Sequence, residues 1–490
     1  MTALPEADPP FRAPRWSVLP APQAVRVFMQ PLPQPAWGDW NEALAPALGL
    51  PALPTPQWLH RLSGQATAPP WCSAYAGHQF GVWAGVLGDG RAHTLGCLHT
   101  EQGPQEIQLK GAGLTPFSRM GDGRAVLRSS VREYLCSEAL AGLGIPTTRA
   151  LALVRSPLPV QRETRETAAI VTRVAPSFIR FGHFEHLSHH GHRDALQQLF
   201  SLVLEDFFPT CAAQAQPALA MLHQVIERTA RLMAYWQCVG FCHGVMNTDN
   251  MSILGLTLDY GPFGFLEAYD ARHLCNHSDR GGRYAYDQQP LMGWWNCGAL
   301  ASALQPLIRD EQAIENALER FEPLYERNLL EGFRAKLGWQ SAQEEDALLI
   351  QQLLALMQRD GVDFTGFFRA LSAQEPGLHR AARLHAPAWV GVDSKDPDWD
   401  RWLRAYGRRS AQEPSHPEQQ REAMLRVNPK YVLRNHLAQE VIEAAQGGDF
   451  RALHQLRQVL QHPFEEHPAW DHWAQPAAPG SPRLCVSCSS

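Results

Sequence analysis

His243-Gly-Val-Met-Asn-Thr-Asp249-Asn250-Met-Ser-Ile-Leu-Gly-Leu-Thr-Leu-Asp259-Tyr260-Gly261 is the stretch on which the fold of this chain turns. It follows a run from His223 to Val239 in which Val225, Ile226, Leu232, Met233 and Trp236 recur at helical spacing, ended by Gly240. After that helix the residues predict a loop, a short apolar strand, a second strand and another loop. Asp249, Asn250 and Asp259 then fall in one strand-loop-strand frame. Taken singly, Asp249-Asn250 suits a turn or a helix cap, and Asp259 a turn. Together they supply two carboxylates and an amide oxygen, hard donors suited to magnesium.

The layout is that of a protein-kinase catalytic loop followed by the metal-binding Asp-Phe-Gly segment. His243 to Asn250 keeps the spacing of H-R-D-x-x-x-x-N, but Val245 stands where a kinase has its catalytic Asp, and valine cannot accept a proton. Asp249 is the only carboxylate left in the loop. Ordinary phosphoryl transfer is therefore not expected, and an altered transfer chemistry is left open. His243 reads as a structural loop residue rather than a base.

Working outward, Ile107-Gln108-Leu109-Lys110 has the alternation of a half-buried strand ended by Gly111. Lys110 at its end is placed to contact phosphates. The next segment predicts a helix with Leu135, Ala139, Leu140 and Leu143 on its apolar stripe, stopped by Gly144 and Pro146. Ser130 and Glu133 have capping-box spacing at its start, so Glu133 has two competing uses, a cap and an ion pair with Lys110. Gly88-Asp89-Gly90-Arg91 and Gly121-Asp122-Gly123-Arg124 are glycine turns: simple turns, or places where backbone approaches phosphate closely. Arg173 and Arg180 are surface ion-pair residues by default, or a pair of guanidinium groups gripping a phosphate.

The remainder frames this centre. Residues 1–70, rich in proline and alanine, read as an irregular wrap, and 71–127 as strands and tight turns around glycines. Beyond Glu166 the chain turns mainly helical, with helices expected at 299–336, 343–360, 364–372 and 430–446 and loops over 375–420. The fold class expected is α+β: a bilobal protein-kinase-like fold with a strand-rich N-lobe (71–175), a helical C-lobe (176–400), an N-terminal extension (1–70) and a C-terminal helical extension with a tail (401–490).

A net charge of −6 offers no basic field for nucleic acid, and no apolar run approaches the roughly 20 residues that span a bilayer. The first residues, acidic and proline-rich, lack the pattern of a secretion signal, so a cytoplasmic monomer without nucleic-acid or membrane partners is expected. Most of the ten cysteines sit in apolar stretches, as reduced buried thiols do, but Cys485 and Cys488 lie near the chain end. His186, His189, His190 and His192 suggest zinc, yet no cysteine accompanies them and a solvated loop is the better reading.

Four motifs make the likeness specific. Tyr75-Ala-Gly-His-Gln-Phe-Gly81, Leu109-Lys-Gly-Ala-Gly113, His243 to Asn250 and Asn428-Pro-Lys-Tyr-Val-Leu-Arg-Asn435, together with the Cys488-Ser-Ser end, resemble the selenoprotein O family. The resemblance implies a pseudokinase fold that transfers AMP from ATP to Ser, Thr or Tyr hydroxyls of proteins, with ATP held inverted relative to kinases. It implies Asp249 as proton acceptor, Asn250 and Asp259 as ligands of magnesium or manganese, and Gly88, Gly90, Arg91, Lys110, Asp122, Gly123, Arg173, Arg180 and Asp259 at the nucleotide, with Glu133 pairing Lys110. It also implies a redox role for Cys488 and Cys485, with Cys275 as a possible partner. The competing readings are a protein kinase with a displaced base, an inactive ATP-binding scaffold, and a small-molecule kinase, which needs an acidic substrate cleft.

Overall fold

In the computed structural model, which describes residues 11–374, 386–393 and 395–478, most strands join one eight-stranded antiparallel sheet. β1 (Ala24–Arg26), β2 (Ala36–Trp40) and β3 (Trp71–Ser73) are short, and β4 (His78–Gln79) and β5 (Val82–Trp83) form a separate hairpin. β6 (Ala92–Thr100), β7 (Gly103–Lys110), β8 (Ala125–Val126), β9 (Arg149–Gln161) and β10 (Arg165–Ala175) follow. The order across the sheet is β1-β3-β6-β7-β10-β9-β2, with β8 beside β10. Its register sets Lys110 opposite Ala92 and Val171, and Arg173 opposite Gln108.

The N-terminal residues do more than wrap. They supply β1 and β2, the two edge strands, which cover backbone that would otherwise stand unpaired. Their Leu32, Trp40, Trp58 and Leu62 pack with Ile107, Leu109 and Ile170 against one face of the sheet, Trp58 and Leu62 coming from α1 (Pro56–Leu62). Proline and alanine richness hid this, because three- to five-residue strands leave little periodicity to detect.

The other face carries α2 (Leu127–Gly142), which starts earlier than its sequence suggested. Ser130 and Glu133 are interior helical residues, so the capping-box reading fails and the Glu133 carboxylate is free for another partner. The helical part contains α3 (Phe181–His189), α4 (Arg193–Phe207), α5 (Pro209–Ala212) and α6 (Pro217–Val239). α6 ends as expected at Gly240, whose left-handed φ of 71° closes the helix. β11 (Phe241–Cys242) and β12 (Gly264–Phe265) pair across the two ends of the 243–261 stretch.

Beyond it come α7 (Gln289–Ile308), α8 (Glu311–Glu319), α9 (Phe321–Lys336), α10 (Asp346–Asp360) and α11 (Phe364–Ser372). The segment 375–420 is less loop-rich than its prolines implied, since it holds α12 (Pro397–Ser410) and leads into α13 (Pro417–Val427). Pro397 and Pro417 occupy first-turn positions, where the missing N–H costs nothing. α14 (Asn435–Gln446) is followed by α15 (Arg451–Gln461), a helix the His-rich tail concealed.

These last two helices pack on α2. Arg457 Nε bonds Asp39 at 2.7 Å, Gln461 Nε2 donates to Glu138 Oε2 at 2.7 Å, and Arg149 bonds the same Glu138 oxygen at 2.7 Å. Arg132 donates to Asn435 Oδ1 at 3.2 Å and to the Phe263 carbonyl at 2.9 Å. The fit is close enough that a Cβ on Gly142 would lie 2.1 Å from the Leu460 carbonyl oxygen.

Candidate active site

A cleft of about 770 Å³ lies where the open end of β7, the start of β10's following turn and the 243–261 stretch converge. Gly88, Gly90, Arg91, Lys110, Asp122, Gly123, Glu133, Arg173, Arg180, Asp249, Asn250 and Asp259 all line it. The chain thus brings together every residue expected at the nucleotide, the metal and the acceptor proton.

At the inner end, cations converge on one carboxylate. Lys110 Nζ lies 3.1 Å from Asp259 Oδ1 and Arg173 Nη1 lies 2.6 Å from the same oxygen, while Arg180 Nη1 binds Oδ2. Glu133 shares the load, 2.6 Å from Lys110 and 3.4 Å from Arg173. Arg173 and Arg180 are each only 2% exposed, which removes the surface-residue reading. Burial alone would raise the Asp259 pKa, yet Arg180, Lys110 and Arg173 together hold it well below the usual carboxylate range. Three cations face two carboxylates in this cluster, and the cleft lining as a whole carries seven Lys or Arg side chains against five Asp or Glu, an excess of positive charge suited to a polyphosphate. Asp259 itself takes a positive φ of 58°, a region that Asp tolerates better than most residues and that aims its carboxylate into the cluster.

Asp249 sits differently. Its Oδ2 accepts from Gln79 Nε2 at 3.2 Å, its Oδ1 is buried without a partner among the described residues, and its carbonyl accepts from Arg180 Nη1 at 2.8 Å. Burial pushes its carboxyl up to about 6, against the Gln79 hydrogen bond and the Arg180 charge. The two aspartates are thereby separated in character, one firmly ionised and one basic enough to take a proton. Asn250 Nδ2 donates to the Val245 carbonyl at 3.1 Å, which fixes the amide and leaves its oxygen as the donor atom for a cation. Asp259 and Asn250 fit magnesium or manganese by oxygen type. Among the described residues no group of three or more His, Cys, Asp or Glu is placed to hold a metal, so such an ion would complete its shell from phosphates and water, as magnesium commonly does.

The glycine turns are sterically required. A Cβ on Gly88, at φ 82°, would lie 2.5 Å from the Phe117 ring, and one on Gly123, at φ 71°, 2.2 Å from the Gly113 carbonyl carbon. Asp89 between the first pair is structural: its carboxylate accepts from Ser73 N and Ser73 Oγ, both at 2.7 Å. Asp122 is tied to Arg162 at 2.7 Å and Arg91 to the Arg124 carbonyl at 3.3 Å.

Sequence reasoning left several residues in or behind the cleft wall without a role. Gln108, expected on a solvated strand face, is buried and binds Arg173 Nη2, because that face of β7 looks into the cleft wall. Tyr75 lies under the Arg180 guanidinium, 4.9 Å from its centre. Tyr75 and Gln79 both belong to the Tyr75–Gly81 motif, whose seven-residue specificity was the available signal. His243 is a structural residue: buried, stacked on Trp236 and bonded to the Leu258 carbonyl at 2.9 Å. His186, His189, His190 and His192 pack against one another with ring centres 4.6 to 6.0 Å apart. Cys275 lies outside the cleft lining with its Sγ 3.4 Å from that of Cys242, while Cys485 and Cys488 lie outside the described residues.

Residues 11–461 match the family model described as Protein adenylyltransferase SelO. The chain belongs to the SelO family. Relatives named protein nucleotidyltransferase YdiU agree along almost the whole length. That of Ralstonia nicotianae is 51% identical, over 94% of this chain and 93% of its own. Those of Cupriavidus metallidurans and Burkholderia pseudomallei are each 48% identical, the latter over 99% of this chain and 98% of its own. As a SelO member the chain is a nucleotidyltransferase with a mixed α/β, kinase-like architecture built on an antiparallel sheet.

Proposed function

We propose that this chain transfers AMP from ATP to Ser, Thr or Tyr hydroxyls of proteins and releases pyrophosphate. The observation that carries the reading is the division of labour between two aspartates: Asp259 is bonded to three cations, while Asp249 keeps a buried oxygen without a partner among the described residues. Asp249 accepts the hydroxyl proton as the acceptor oxygen attacks the α-phosphorus. Lys110, Arg173 and Arg180 hold the departing phosphates and offset the charge that grows on them. Glu133 keeps Lys110 in place, and the backbone at Gly88, Gly90 and Gly123, with Arg91 and Asp122, bounds the nucleotide.

Asn250 and Asp259 would hold magnesium or manganese, which would supply charge screening of the phosphate oxygens and Lewis-acid polarisation of the reacting phosphorus. The depth of Arg173 and Arg180 supports an inverted nucleotide, since a γ-phosphate pointing inward needs buried cations. We read the assembly as two lobes, 71–175 and 176–400, flanked by extensions 1–70 and 401–490, the last carrying Cys485 and Cys488 as a redox tail with Cys275 as its partner. Among the described residues no helix is long and apolar enough to cross a membrane.

Incubation with α-labelled and, separately, γ-labelled ATP plus magnesium or manganese tests the transfer, with Asp259→Ala as control. Label is expected on protein from the α position alone and is lost in the control. Label from the γ position alone identifies a kinase with a displaced base and sinks the proposal.

A further inference from the structure

Gln79 reaches Asp249 from outside the loop that carries it. Its Nε2 donates to Asp249 Oδ2 at 3.2 Å, and Gln79 itself lines the cleft. The opposite oxygen, Oδ1, is buried and has no partner among the described residues. One oxygen held and one free is the arrangement that lets a base meet an incoming hydroxyl at a fixed angle.

The placement of Gln79 is built by its hairpin. β4 and β5 are joined through Phe80 (φ 51°) and Gly81 (φ 82°), and positive φ at both central residues is the signature of a type I′ turn. Phenylalanine is costly there and is retained only where its surroundings over-determine it. They do. Phe80 N donates to Asn247 Oδ1 and to Tyr284 Oη, both at 3.1 Å, and Tyr284 Oη donates to Asn247 Oδ1 at 2.6 Å. His78 N donates to Thr248 Oγ1 at 2.7 Å. A Cβ on Gly77 would lie 2.7 Å from Thr248 Oγ1 and 2.9 Å from Asp249 N, so the root of the hairpin is pressed against the loop. The hairpin is thereby bonded to Asn247, Thr248 and Asp249 in succession.

We propose that Gln79 is a positioning residue: its amide fixes the rotation of the Asp249 carboxylate so that Oδ1 faces the acceptor hydroxyl. The inference rests on the reading of Asp249 as proton acceptor. A neutral donor suits the place, because glutamate would add another carboxylate beside the triphosphate and lysine would cancel the charge of the base.

The test uses the full chain, with its own hydroxyls as acceptor and α-labelled ATP as donor. Gln79→Ala, Gln79→Glu, Asp249→Ala and Val82→Ala are compared, Val82 being an exposed residue of the same hairpin. Gln79→Ala is expected to lower the maximal labelling rate on the order of tenfold to a hundredfold, the effect of losing a hydrogen bond to a charged group in the transition state. The ATP concentration at half-maximal rate and the melting temperature stay unchanged. Gln79→Glu is at least as damaging, and Val82→Ala labels normally. A maximal rate within about twofold of the unmodified chain overturns the proposal. So does a loss accompanied by weaker ATP binding or earlier melting, which marks the hairpin as merely structural. Labelling that survives Asp249→Ala sinks the base reading itself, whereas loss there beside an active Gln79→Ala sinks only the positioning.

Discussion

An Asp259→Asn variant, held metal-free with a chelator, should melt roughly 3–5 °C below the unmodified chain, and inorganic tripolyphosphate should narrow the gap by roughly 1.4 °C. Asp259 is bonded to Lys110, Arg173 and Arg180, and among the described residues the only other carboxylate bonded to any of the three is Glu133. Neutralising Asp259 leaves three cations sharing one negative partner at an inner site where both arginines are almost fully buried. Removing one member of a buried charge cluster costs about 3–5 kcal/mol. At about 2.1 cal/mol/K per residue, 490 residues give an unfolding entropy near 1 kcal/mol/K, hence the size of the shift. Tripolyphosphate carries the needed charge without base, sugar or metal. It should bind the variant about tenfold more tightly, adding about 1.4 kcal/mol of stabilisation at saturating ligand. Thermal melts with and without the anion read both effects. A variant that melts with the unmodified chain, or an anion that stabilises the two equally, refutes the argument that Asp259 holds the place of a polyphosphate.

Replacing Gly142 with alanine should destabilise by about 1–3 kcal/mol, because the new methyl meets the Leu460 carbonyl; unchanged denaturant unfolding would show that α2 and α15 are not in close contact. Lys110→Met and Glu133→Gln should each slow AMP transfer, and the double variant should lose less than their sum, with a coupling of about 0.5–3 kcal/mol; strict additivity of the measured rates would argue against one functional pair. Glu106, bonded by Trp16 Nε1 at 3.1 Å, is pushed by burial up to about 8 from an ordinary 4.5. The folded chain then holds a proton that the unfolded chain releases, so this residue's contribution to stability falls as pH rises from about 5 to about 8. Denaturation across that window should show the unmodified chain losing its advantage over Glu106→Gln, and a pH-independent difference would contradict it.

The site was more legible than the scaffold. Asp249, Asn250 and Asp259 lie within eleven residues of one another, and Val245 in the kinase base position is visible without coordinates. Lys110 and Glu133 were harder, because a capping box with Ser130 and an ion pair with Lys110 compete for the same carboxylate; only the true start of α2, at Leu127, decides between them. Gln108 shows the opposite failure. Strict alternation in β7 signals which residues share a face but not whether that face meets water or a cleft wall. The edge strands β1 and β2 were illegible because their pairing partners are distant in sequence, and short strands carry no period of their own. Pro397 and Pro417 misled for a related reason: proline breaks a helix interior and opens a first turn, and composition does not distinguish the two.

The packing of α14 and α15 against α2 has a bearing on synthesis. A ribosome releases the chain from its N-terminus, so β7 and α2 emerge long before residues 435–461. Until those residues arrive, Glu138 lacks Gln461, Arg132 lacks Asn435, and the helix that carries Glu133 has an uncovered side. A nascent or prematurely ended chain would thus own every residue of the cleft yet hold its lysine and glutamate loosely. The helix that presents Glu133 to Lys110 would gain its full packing only with the final helices.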